Sequence, residues 1–159
     1  MADAKQKTPD AGIPDKLKGY NETMTISQAV VFFGRHGYGI TKTMIQNYVR
    51  VGALPLPADK RRYTKNHILT ILLIDQLKTV FSLDEIKMIL GPAIENVFVN
   101  GGDMSAAYGR FCEIYENKLK NEEAQKETGR VGPFDDKLSL AAECAALRRA
   151  VTESNGEVE

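Results

Sequence analysis

The sequence predicts a mainly α-helical protein with one short β-hairpin, on three observations. Apolar residues recur three and four positions apart over most of the chain. A Thr, Ser or Asp stands at the start of most of these stretches, where a helix N-cap belongs. One segment bounded by Pro55 and Pro57 interrupts the pattern and favours an extended path. The 159 residues, 43% hydrophobic and 26% charged, suit a globular domain with an appendage rather than a disordered chain.

Residues 1–23 hold little apolar content, which predicts a flexible N-terminal arm or a partly docked extension. A first helix is predicted over 25–34, with Thr25 as N-cap, Gly34 as stop, and Ile26, Ala29, Val30 and Phe33 on one face. Arg35, His36, Gly37, Tyr38 and Gly39 read as a turn. A second helix from about Thr41 to Val51 turns Ile45 and Tyr48 inward, leaves Lys42, Thr43, Gln46, Asn47 and Arg50 outside, and stops at Gly52 in the left-handed conformation. Residues 54–62 read as a hairpin, an extended segment followed by a tight turn and a short second strand carrying Lys60, Arg61 and Arg62. A third helix is capped by Thr64 and runs to about Val80. Ser82 and Glu85 form a capping box for a fourth, which Gly91 and Pro92 are expected to close.

Beyond Pro92 the local signals are weaker. Residues 93–99 are apolar and fit a short helix broken by Gly101 and Gly102. Asp103 can cap a long helix to about Lys126, along which Met104, Tyr108, Phe111, Tyr115 and Leu119 form a narrow apolar seam. A loop over 128–133 leads to a last helix with Leu140, Cys144, Leu147 and Val151 in a second seam. Residues 153–159 read as a disordered tail. The two seams, taken together, predict a coiled-coil-like homodimer contact through Met104, Tyr108, Phe111, Tyr115, Leu119, Leu140, Leu147 and Val151. The expected organisation is therefore an arm over 1–23, a first domain over 24–91, a helical dimerisation or partner-binding region over 92–152, and the tail.

Charge sharpens this division. Residues 24–91 carry nine Lys or Arg and four Asp or Glu, whereas 92–159 carry eight and thirteen. A basic segment followed by an acidic one suggests two jobs on one chain. Two short helices, a cationic hairpin and a third helix, in that order, make a winged helix-turn-helix. Lys42, Thr43, Gln46, Asn47 and Arg50 supply the amides, hydroxyl and cations that a helix in a major groove needs, and Lys60, Arg61 and Arg62 set phosphate-binding charge beside it. The expected partner is double-stranded DNA.

The segments TISQA at 25–29, IQNYVRVGALP at 45–55, RRYT at 61–64 and LLIDQLKTVFSLDEIKMIL at 72–90 resemble, in order and spacing, the DNA-binding domain of the MerR family. The whole chain also resembles a bacterial family known only as a domain of unknown function, with a MerR-like start and a helical rest. The resemblance implies a winged-helix fold and a DNA-binding transcriptional regulator. It places Gln46 and Asn47 at recognition-helix contacts, Arg61 at the wing arginine, Tyr48 within the helix and Tyr63 against the third helix. The chain departs from MerR in its longer turn over 34–40, its clipped wing, Gln46 in place of an arginine, and two helices in place of one long dimerising helix.

Other functions find less support in the residues. There is no Ser-His-Asp, Cys-His, phosphate-loop or HExxH pattern, so catalysis is not expected, and no cofactor or metal is expected. His36 reads as a turn residue, His67 as a helix-surface residue, and Cys112 and Cys144 as small core residues. The absence of a long apolar run and of a signal-peptide pattern leads to a cytoplasmic expectation with no membrane partner. An effector is not readable. The rival readings are a protein-interaction module, such as an antirepressor or adaptor on the same scaffold, and an excisionase-like architectural DNA-binding protein.

Overall fold

The computed structural model describes residues 8–127 and 136–154. The loop expected at 128–133 and the tail beyond 154 lie outside the described residues. The elements are α1 (Ile13–Leu17), β1 (Thr23–Met24), α2 (Ile26–Arg35), α3 (Lys42–Arg50), β2 (Tyr63–Thr64), α4 (Lys65–Leu77), α5 (Leu83–Ile94) with a π-helical continuation (Glu95–Val99), α6 (Met104–Glu127) and α7 (Asp136–Ser154). The protein is mainly helical, with a small antiparallel sheet of two strands.

Reciprocal caps start four of the helices. At α2 the Gln28 amide N–H donates to Thr25 Oγ1 (3.2 Å), while Gln28 Oε1 accepts from the Thr25 N–H (2.9 Å). Thr41 with Met44, Thr64 with His67, and Ser82 with Glu85 repeat the arrangement. Each satisfies donors that the first helical turn leaves open. The other end of α3 closes in a Schellman turn. Gly52 has φ +82°, its N–H donates to the Val49 carbonyl (3.1 Å), and the Ala53 N–H reaches back to Tyr48 (2.9 Å).

Helix α4 is the keel of the first unit. Every residue from His67 to Ile74 is buried, so no face of this stretch meets water. Ile45 and Tyr48 from α3, Ala29, Phe32 and Phe33 from α2, and Ile86 and Leu90 from α5 complete the core around it. His67, expected on the helix surface, is buried. Its Nδ1 accepts from the Thr64 N–H (3.2 Å), so Nε2 carries the proton and donates to the Pro55 carbonyl (3.1 Å). Burial pushes its pKa down to about 4.

Two expectations are corrected and a third is narrowed. No hairpin forms over 54–62: β2 pairs instead with β1, Thr23 opposite Thr64 and Met24 opposite Tyr63. Pro55 and Pro57 have no N–H to give a ladder, whereas Thr23 and Met24 do. Of the two readings of the N-terminal stretch, residues 8–23 fit the docked extension rather than the flexible arm. Ile13 and Leu17, one turn apart on α1, are fully buried, and the Asp10 carbonyl accepts from the Tyr108 hydroxyl at 2.7 Å. Gly91 and Pro92 do not end α5, which runs on to Ile94 and into the π-helical turn that buries Val97. The missing Pro92 N–H removes one bond from the ladder without stopping a helix whose far side has a core to pack on.

Two compact units divide the chain, the first ending at Cys112 and the second beginning at Glu113. The first unit therefore extends beyond residue 91 and takes in Val97, Met104, Tyr108 and Cys112 as core. The second consists of the later part of α6 and all of α7. Every described side chain from 141 to 151 is exposed. Its ion pairs Lys118–Glu122 (3.0 Å) and Arg149–Glu153 (2.8 Å) join residues one turn apart, the second pair on the surface.

Candidate nucleic-acid interface

Helix α3 presents its polar residues because Ile45 and Tyr48 hold its other side in the core. Lys42, Thr43, Gln46 and Arg50 are exposed and Asn47 is half-buried. Asn47 Oδ1 accepts a hydrogen bond from the Arg50 guanidinium. That bond ties the two side chains together through Oδ1 and leaves the Asn47 side-chain N–H groups without a partner among the described residues.

The cations at 60–62 stand on a built turn. The Lys60 N–H donates to the Pro57 carbonyl (2.9 Å), and the Asp59 carboxylate accepts from the backbone N–H groups of Arg61 (3.0 Å) and Arg62 (2.7 Å). Those two bonds hold the Asp59 carboxyl below its usual range. Lys60 has φ +67°, a left-handed conformation that favours glycine.

The turn and the helix face a common groove of about 470 Å³. Lys42 and Gln46 line it from α3, Lys60 and Arg61 from the turn, and Thr25 from the cap of α2. No carboxylate lines it, and Lys42, Lys60 and Arg61 make no ion pair among the described residues. Tyr63 and Leu56 form its apolar floor and rim. On the other flank of α3 a second hollow, about 500 Å³, is lined by Thr43, Asn47 and Arg50. Gln46 lines both and so marks the ridge between them. The eight residues expected to touch DNA are thus all on the surface. Four of them share one groove, Arg62 flanks it on the same turn, and Thr43, Asn47 and Arg50 lie across the ridge.

Tyr48 is buried in the helix, with Lys78 Nζ 5.9 Å from its ring centre. Tyr63 packs edge-on against His67 of α4, ring centres 5.7 Å apart. Sequence reasoning passed over Asp59, whose Asx-type bonds organise the turn. Its signal was present, an aspartate two and three residues before the N–H groups it binds.

The seams expected to dimerise divide between the two units. Met104 and Tyr108 are fully buried in the first unit and Phe111 packs half-buried on its core, so these three serve the fold of one chain. Asn66 Oδ1 accepts from the Met104 N–H at 3.0 Å. In the second unit Tyr115 and Leu140 are half-buried, while Leu119, Cys144, Leu147 and Val151 are exposed. Among the described residues, no group of His, Cys, Asp and Glu is placed to hold a metal ion, and no helix is long and apolar enough to cross a membrane.

A mainly helical unit with a cation-lined groove is the class that fold and site define. Residues 21–111 match a domain of unknown function, DUF1836, and the chain belongs to that family. The match ends one residue short of the first unit's last residue, Cys112. No curated protein and no solved structure matches the chain.

Proposed function

We propose that this protein is a sequence-specific regulator of transcription that binds double-stranded DNA as a homodimer through a MerR-like winged helix-turn-helix. The groove between α3 and the Asp59 turn carries the reading. Cations from two separate elements converge on it with no carboxylate in its lining. Phosphate oxygens are the ligand such a surface suits, and the amide and hydroxyl groups on α3 suit base edges. In this reading the turn at 57–62 stands in for the wing, and α3 is the recognition helix with Gln46 on its ridge. The fully exposed stretch of α7 supports the homodimer. A helix of this length gains little stability unless an apolar stripe is buried, and Leu147 and Val151 offer one to a second copy.

Leu56, 56% exposed at the groove rim, favours the second reading, a protein-interaction module on the same scaffold. One experiment separates the two. A random duplex pool is passed over the full-length protein at low salt, and retained sequences are read. The proposal expects enrichment of paired half-sites about 10 base pairs, or a multiple, apart. It also expects no retention by a variant with Lys60, Arg61 and Arg62 all changed to Ala. A pool that emerges unenriched would favour the protein-interaction reading.

A further inference from the structure

The first unit holds a third hollow, about 330 Å³, between β1 and α2. It is unlike the groove beside α3. Its walls are mostly apolar, formed by Met24, Val31 and Phe32, with Tyr20 standing edge-on to Phe32 at 5.0 Å between ring centres. Val31 is 54% exposed there, although α2 has a buried face available for apolar residues. Ser27 and Gln28 add polar groups at its edge, and Arg35 is the one charged residue in its lining.

Arg35 makes no ion pair among the described residues. Its guanidinium donates to the Tyr20 hydroxyl at a long 3.4 Å. That oxygen acts as acceptor, so the phenol proton remains to be given elsewhere. A guanidinium and a phenol O–H therefore stand together at the mouth of an apolar hollow. Such a fork suits the two oxygens of a carboxylate. With a single cation in the lining, a monoanion is matched better than a phosphate dianion. The volume lies at the lower end of small-molecule pockets, enough for an aliphatic or aryl chain of about ten heavy atoms.

We infer that this hollow binds a small amphipathic monocarboxylate, with its chain against Val31, Phe32 and Met24 and its carboxylate on Arg35 and Tyr20. The inference does not depend on DNA binding. It gives α2, which also packs on α3, a ligand-facing side.

Octanoate and 1-octanol, equal in chain length and different in charge, are the probes. Each is titrated into the full-length protein while backbone amide resonances are followed. The expected result is saturable shifts at Thr23, Ser27 and Val31 with octanoate, and at least tenfold weaker binding of octanol. Arg35→Gln, at an exposed position, is expected to reduce octanoate affinity about tenfold and leave octanol unchanged. Val31→Glu, which puts a like charge on the wall, should abolish octanoate binding in a protein that still melts as the parent does. Equal affinity for the two probes, no saturable shift at millimolar octanoate, or an Arg35→Gln variant that binds octanoate as the parent does would each overturn the inference.

Discussion

The surface around α3 and the exposed stripe of α7 are both open to water, and they differ in what keeps them in shape. Around α3 the framework is braced locally: Asp59 holds the turn, Arg50 holds Asn47, and Ile45 and Tyr48 anchor the helix in the core. That surface is complete within one chain. Along α7 the side chains from 141 to 151 have no burial to brace them, and the apolar ones among them remain exposed. The proposed DNA contact uses the first kind of surface, and the proposed homodimer uses the second.

Two leucine truncations sharpen that contrast most strongly. Leu72 is fully buried in α4, and Leu72→Ala should cost about 2–5 kcal/mol in denaturant unfolding. Leu147 is 60% exposed, and Leu147→Ala should leave the first unit's stability unchanged while lowering the mass seen by light scattering at micromolar concentration toward that of one chain. A parent that already scatters as one chain would remove the homodimer.

Acid provides the next largest effect. His67 is held neutral with a pKa of about 4, against 6.5 in the unfolded chain. Between those values the unfolded chain binds the extra proton. The stabilisation from neutral His67 is therefore complete above pH 6.5 and is lost as pH falls toward 4, by roughly 3 kcal/mol. A His67→Gln variant should show a flatter stability profile across that window, whatever its stability at pH 7. An unchanged slope would place His67 in water after all.

Local rules made much of this legible. The caps at Thr25, Thr64 and Ser82, the helix start near Thr41 and the left-handed Gly52 depend on residues no more than five apart, and the sequence predicts each of these positions. The fate of His67 depends on Pro55 and on Phe98, whose ring lies 4.6 Å away between ring centres, and both are distant in the chain. The pairing of β1 with β2 joins residues some forty positions apart. Pro92 reads as a stop because the packing that carries α5 past it is not written near it. The α3 face was legible because its apolar residues alternate with polar ones at helical spacing. The groove was not, because it needs α3, the turn and the α2 cap brought together.

The smallest effect concerns Lys60. Replacing it with Gly relieves the left-handed backbone and should raise stability by about 1 kcal/mol, while DNA affinity falls. A variant that gains stability and binds DNA as before would show that the strained lysine has no role at the groove.

The most direct test of the account is the salt dependence of duplex binding by the full-length protein and by Arg61→Ala. Each phosphate neutralised contributes about 0.9 to the slope of log affinity against log salt. With Lys42, Arg50, Lys60, Arg61 and Arg62 on this surface, the account predicts a slope of about −4.5 per protomer. Loss of Arg61 should make it shallower by about 0.9 while weakening all sequences alike. A flat salt profile, or one that Arg61→Ala leaves unaltered, would contradict the assignment of this groove to DNA.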